Sequence, residues 1–210
     1  MKNVITIGRQ LGSGGRTIGK KIAERLGIKY YDRELIDEVA KQSGFSVDFI
    51  EKTDEKVNNV FLYNLAMSSS YFYDSLTLTP TDTTPLASQV FLAQQKVILE
   101  YASEPCVIVG RCADYILRER DDVLSVFLYA DMDKRINRAI KHYGADIDEK
   151  KAKELISKSD KARARHYSAF TDWEWGDRDH YDLMLNTTSV GFEGATKMIC
   201  EAYKADPNEK

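Results

Sequence analysis

The run Arg9-Gln10-Leu11-Gly12-Ser13-Gly14-Gly15-Arg16-Thr17 combines residue types that bind phosphate. Gly12, Gly14 and Gly15 permit unusual backbone angles and the close approach of a ligand, so the loop around Ser13 can turn backbone N–H groups toward an anion. Arg9 and Arg16 add bidentate cationic donors, and Thr17 carries a hydroxyl suited to Mg²⁺. The glycines also suit a plain tight turn, and either arginine also suits an exposed surface. A second group is Asp160, Arg163 and Arg165, where a three-residue helical step lets Asp160 and Arg163 pair; the same spacing fits a solvated helix face. His142, His166 and His180 have no metal or triad spacing.

These residues need elements to hold them. Val4-Ile5-Thr6-Ile7 reads as a buried strand that runs into the Gly-rich loop, and Ile18, Ile22, Ala23 and Leu26 recur at helical spacing before a stop at Gly27. Residues 28–31 form a second short strand, followed by a helix through Leu35, Ile36, Val39 and Ala40 that ends near Gly44. The segment 45–85, with Ser68-Ser69-Ser70 and its Thr-rich stretch, reads as an irregular, partly helical insertion. Helical spacing returns from Val90 to Tyr101. Cys106-Val107-Ile108-Val109 is a continuous apolar run, as expected of a strand covered on both faces, and a short helix follows from Ala113 to Leu117. Residues 124–129 form the next strand. Asp131 or Asp133 caps a helix that stops at Gly144, a charged helical stretch follows, and a strand at 183–185 precedes a helix from about 192 to 203. Five strands alternating with helices predict an α/β domain with a mostly parallel sheet and ligands at the carboxyl ends of the strands.

Composition narrows the classes. The chain has 210 residues, 43% of them hydrophobic, and a net charge of −3; one folded domain over residues 1–205 with a polar tail at 206–210 is expected. Residues 133–165 hold eleven Lys/Arg against six Asp/Glu, a local +5 that leaves −8 elsewhere. That pattern suits a local anionic ligand, or a solvated lysine-rich helix, and argues against binding nucleic acid polymers. No membrane span or signal-peptide pattern is evident, so a soluble, cytoplasmic protein is expected. Cys106, Cys112 and Cys200 lack paired metal spacing and are expected as free thiols. The residues carry no signal for oligomeric state.

The ordered set Ile5 to Thr17, Tyr30-Tyr31-Asp32, Val107-Ile108-Val109-Gly110-Arg111, Asp160 with Arg163, and Asp182-Leu183-Met184-Leu185-Asn186-Thr187 resembles the P-loop nucleoside monophosphate kinases, most closely the cytidylate-kinase-like family. The resemblance runs over nearly the whole chain. It implies a three-layer P-loop kinase fold with a five-stranded, mostly parallel sheet, an acceptor-binding helical insertion at 45–85, and a lid at 145–180. It also implies phosphoryl transfer from ATP, with Mg²⁺, to a nucleoside monophosphate, CMP or dCMP first. Gly12, Ser13, Gly14, Gly15, Arg16 and Thr17 would bind ATP, with Mg²⁺ held by Thr17 through phosphates and water. Asp32, Arg111 and Asp160 would serve the acceptor, and Arg163 and Arg165 would close with the lid over the transferring group. Asp32 equally suits the N-cap of the helix that follows it, and a salt bridge at the strand end is the lesser alternative for Arg111.

The sequence departs from the family pattern in two places. The usual P-loop Lys is absent: Gly15 stands in its place, or Arg16 if one residue is inserted, so Arg9 and Arg16 become candidate substitutes. The strand that resembles one ending in Asp-Gly-Arg-Asp ends here in Val109-Gly110-Arg111-Cys112, without either acid; Asp114 restores part of the charge or caps a helix. The second departure motivates a kinase of the same fold with another small-molecule acceptor. The missing Lys motivates a non-catalytic nucleotide-binding protein, and the Tyr- and Ser-rich insertion suits an assembly module.

Overall fold

β1 (Val4–Arg9) is the central strand of the sheet, and its first four residues are buried because both of its faces are covered. The architecture is taken from a computed structural model that describes residues 2–48, 50, 86–144 and 147–205. The readings for most of the 45–85 insertion and for the 206–210 tail fall outside the described residues. β1 pairs in parallel with β3 (Cys106–Val109) on one side and β4 (Val123–Tyr129) on the other; β2 (Lys29–Tyr31) and β5 (Leu183–Asn186) add at the edges. The order is β2-β3-β1-β4-β5, parallel throughout. Every strand therefore ends on the same side, and the loop after β1 lies at the centre of that side.

Alternation along the strands sends residues to two separate cores. Ile5, Ile7, Val107, Val109, Leu124, Val126 and Leu128 face α1 (Gly15–Leu26) and α7 (Gly191–Lys204). Val4, Cys106, Ile108 and Val123 face α2 (Glu34–Ser43), α3 (Leu86–Tyr101), α4 (Ala113–Ile116) and the C-terminal turn of α6 (Glu149–Phe170). The result is the three-layer α/β arrangement. Among the described residues helix α3 covers Leu86–Tyr101, which includes the predicted span from Val90 to Tyr101. The three cysteines are buried free thiols. No helix among the described residues is long and apolar enough to cross a membrane.

The charged stretch becomes two packed helices, α5 (Met132–Tyr143) and α6, joined by a small core of Ile136, Ala139, Ala152 and Ile156 that also holds Leu11 of the glycine loop. Asp131 sits at the N-cap position of α5 but makes no side-chain cap; its carboxylate accepts instead from Asn186 Nδ2 at 3.0 Å. Asp148 caps α6 through the Lys151 N–H at 2.7 Å. The two tryptophans of the following loop pack inward: Trp173 stacks on His180 at 4.1 Å and meets Tyr115 edge-on, and Trp175 meets Phe127.

Candidate active site

The loop between β1 and α1 is fixed by its carbonyl groups. Four consecutive carbonyl oxygens are taken by protein donors: Gln10 O accepts from Ser13 N and Oγ at 3.3 and 2.9 Å, Leu11 O from Arg135 Nε at 2.7 Å, Gly12 O from Arg138 at 3.0 Å, and Ser13 O from Thr187 Oγ1 at 2.7 Å. Leu11 N–H goes to Asp160 and Ser13 N–H to Gln10 O, so the N–H groups that can meet a ligand are those of the first turn of α1. Gly12 and Gly14 adopt φ of +79° and +91°, a region costly for other residues, and Gly14, as N-cap of α1, offers no side chain to the helix's first-turn N–H groups. Gly12, Gly14, Gly15, Arg16 and Thr17 line a cleft of about 350 Å³ with Arg9, Arg138 and Arg163. The positive end of the α1 dipole and these cations suit the cleft to an anion.

Arg9, at the end of β1, is largely buried, and burial lowers its pKa despite the opposing pull of Asp32, 3.7 Å away. Arg163 reaches in from α6 and donates to Arg9 O at 3.2 Å; burial, together with the neighbouring Arg9 charge, brings its pKa down to about 10, so it remains a cation at neutral pH. Arg16 lies on the rim, with 65% of its side chain exposed, and pairs with Asp32 at 2.6 Å. Asp32 thus faces two loop arginines, and its carboxylate does not cap α2, whose N-cap is Arg33. Tyr30 lies beside it, its hydroxyl 3.5 Å from Asp32, and burial raises its pKa. Tyr31 instead stacks on Tyr101 in the core.

The remaining sequence candidates separate. Asp160 and Arg163 do approach, at 3.5 Å, but Asp160 also accepts from the Leu11 N–H at 2.8 Å and pairs with buried Arg135. Its carboxylate therefore clamps α5, α6 and the loop together and is not open to an acceptor. Arg165 does not join the cleft: it is exposed and donates to the Lys161 carbonyl along its own helix. Arg111 stands after β3 with φ of +61°, followed by Cys112 at +55°, two adjacent left-handed non-glycine residues that store backbone strain at the strand end. Asp114 is buried and accepts from the Tyr167 hydroxyl at 2.9 Å; burial raises its pKa and the Tyr167 and Tyr181 hydroxyls oppose the rise. It is not among the residues that line the cleft, although its charge acts on Arg9.

Arg135, Arg138, Thr187 and Phe192 were not singled out by residue type. Arg138 lies over the Phe192 ring at 4.5 Å and bonds Gly12 O and Thr187 Oγ1, each at 3.0 Å. A signal existed: Arg135 and Arg138 flank Ile136 and Ala139 on the apolar side of α5, where arginine needs a buried partner. For a metal, the loop offers the exposed Thr17 hydroxyl and one carboxylate, Asp32. Among the described residues no group of three or more His, Cys, Asp or Glu is placed to hold a metal ion. That sparse donor set suits Mg²⁺, which takes many of its ligands from phosphate and water.

A family model described as the cytidylate kinase-like family matches residues 4–189. The chain belongs to that family. The cytidylate kinase of Pyrococcus horikoshii is 25% identical to this cytidylate kinase-like chain over 200 residues, covering 94% of it and 86% of the relative. Among solved structures, an uncharacterized protein from Eubacterium ventriosum is 31% identical with a TM-score of 0.71, covering 98% of this chain and all of the other. A shikimate kinase from Bacteroides thetaiotaomicron, 14% identical over 96% of this chain and 98% of its own, shares the fold with a TM-score of 0.53. The cytidylate kinase-like domain therefore has a P-loop kinase architecture, with its glycine loop and inward-facing arginines at the carboxyl end of the sheet.

Proposed function

We propose that this protein transfers the γ-phosphoryl group of ATP to a nucleoside monophosphate, with CMP or dCMP as the acceptor. The observation that carries the reading is the loop whose carbonyls from Gln10 to Ser13 are all occupied, which fixes the start of α1 so that its first-turn N–H groups meet the cations Arg9, Arg16 and Arg163 at one cleft. The loop and the first turn of α1 bind the donor phosphates. Arg163 is held at the cleft by Asp160 and by the Arg9 carbonyl, where it stabilises charge on the transferring group without reorganising. An acceptor phosphate oxygen forms the new P–O bond as the bond between the γ-phosphorus and the bridging oxygen breaks, and ADP leaves. Proton abstraction is not needed, because the attacking oxygen is already ionised; positioning and charge neutralisation supply the acceleration. Thr17 and Asp32 would hold Mg²⁺ near the donor phosphates, where it would supply charge neutralisation. Arg111, at the end of β3, supports the acceptor phosphate.

A second reading is favoured by one observation. Asp114, the acid nearest the two missing carboxylates, is turned to Tyr167 in the interior, and Cys112 is buried with its thiol pKa raised by burial. The strand end then lacks the base contact implied for cytidylate kinases, which suits a different small acceptor. Purified full-length protein with Mg–ATP and a panel of CMP, dCMP, UMP, AMP, GMP, sugar phosphates and hydroxy acids separates the two, with products resolved by ion-exchange chromatography. CDP or dCDP with equimolar ADP is expected. Turnover of another acceptor with no pyrimidine diphosphate would favour the second reading, and no ADP with any acceptor would overturn both.

A further inference from the structure

In the alignment without an insertion Gly15 stands where a P-loop carries its lysine, and the space which that side chain would leave through is occupied by Arg9. A Cβ built on Gly15 would come within 2.8 Å of Arg9 Cγ and 2.9 Å of Arg9 Cβ, closer than real side-chain contacts. The Arg9 stem therefore crosses the start of α1. Its guanidinium then passes over Gly110, in the turn after β3, where a Cβ would lie 2.7 Å from Arg9 Cζ and 3.1 Å from Nη2. Gly110 also has φ of +78°. Two glycines from separate turns thus form the channel along which one arginine reaches the loop cleft. Arg16 reaches the same Asp32 from the first helical turn, but along the exposed rim.

From this packing we infer that the donor-phosphate cation has moved from the start of the helix to the end of the first strand: Arg9 does the work of the absent lysine, and Gly15 and Gly110 exist to admit it. The assignment rests on the donor-site reading above and adds what that reading leaves open, which arginine acts and why position 15 has no side chain. It makes a lysine at 15 and an arginine at 9 mutually exclusive. It also makes the cation a guanidinium that approaches from the strand, able to bond two phosphate oxygens at once.

The test is a set of full-length variants, Arg9→Met, Arg9→Ala, Gly15→Lys, Arg9→Ala with Gly15→Lys, and Arg16→Ala. Each is checked for folding by circular dichroism and titrated calorimetrically with Mg–ATP and, separately, with inorganic tripolyphosphate. Arg9→Met retains much of the stem and removes the charge, so its binding should weaken by about tenfold or more, the scale of a lost charge-assisted hydrogen bond. Arg16→Ala should lose less than Arg9→Met. Gly15→Lys should also weaken binding by displacing Arg9, or fail to fold, and the double variant should bind better than either Arg9→Ala or Gly15→Lys. Binding by Arg9→Met equal to wild type, a larger loss in Arg16→Ala, or a double variant no better than its parents would overturn the assignment while leaving the donor reading in place. Wild-type protein that binds neither Mg–ATP nor tripolyphosphate would overturn both.

Discussion

Burial of His166 against Phe170, with the rings 4.8 Å apart, and the nearby positive charge of Arg111 lower its pKa from the ordinary 6.5 to about 3. Between those values the unfolded chain binds a proton that the folded chain refuses, so the contribution of His166 to stability falls as pH falls from about 6.5 towards 3. Asp114, which accepts from the Tyr167 hydroxyl, acts the other way: its raised pKa favours the folded state in acid and loses that contribution as pH rises through the folded value. At pH 4.5, two units below the ordinary value, the histidine term amounts to about 2–3 kcal/mol. His166→Gln should reduce the stability difference between pH 7.5 and pH 4.5 by about that much, as read from urea unfolding at each pH. Comparing each variant with itself at two pH values cancels the baseline cost of the substitution; an unchanged difference would assign the acid sensitivity to other groups. Nothing in the spacing of His166 signals this, because its environment is made by α6 meeting the turn after β3. The left-handed angles of Arg111 and Cys112 were equally silent, whereas Gly110 beside them marks a turn by its type alone.

At the level of elements, one carboxylate adds a polar clamp to the apolar contact between α6 and Leu11 of the loop. Asp160 accepts from Leu11 N and pairs with Arg135 of α5 and Arg163 of its own helix, with 16% of its side chain exposed. Removing the charge leaves two largely buried arginines without it, a change that costs about 3–5 kcal/mol for a fully buried pair and somewhat less here. Asp160→Asn should therefore destabilise the protein by about 2–4 kcal/mol in urea unfolding and increase proteolytic cutting in the α5–α6 connection. Loss of stability without increased cutting there would show that the clamp supports the whole domain and not these two helices. Much of this level was legible beforehand: apolar runs gave the strands, helical periods gave the helices, and the three-residue step gave the Asp160–Arg163 approach. The dominant partner, Arg135, was not, since a contact 25 residues away depends on how two helices pack. Likewise Asp32 and Asp131 carry the residue type of an N-cap, but tertiary partners claim both carboxylates.

Across the whole molecule, the +5 of residues 133–165 divides by side-chain chemistry. Arg135, Arg138 and Arg163 turn inward to the loop, whereas Lys134, Lys141, Lys150, Lys151, Lys153, Lys158 and Lys161 are exposed, together with Arg165. The two sequence readings of this stretch therefore fall on different residues: the lysines form the solvated face, and the proposed anion site rests on the arginines. Guanidinium groups can be buried against carbonyls because their planar donors are satisfied in several directions, while an ammonium is more strongly hydrated. Charge counting along the chain cannot separate the two. The separation predicts which charges hold a nucleotide. Mg–ATP at a hundred times its dissociation constant stabilises a folded protein by about 2.7 kcal/mol, or about 5–11 °C in Tm for a chain of this size. A variant with Lys150, Lys151 and Lys153 all changed to Gln should keep that ligand-induced shift to within about 2 °C, and Arg163→Ala should lose most of it at the same Mg–ATP concentration. Repeating the thermal melts at low and high salt tests the reason, because exposed charges are screened and the partly buried arginine much less so. If the lysine variant loses the shift and Arg163→Ala keeps it, the exposed face and not the inward arginines attracts the nucleotide.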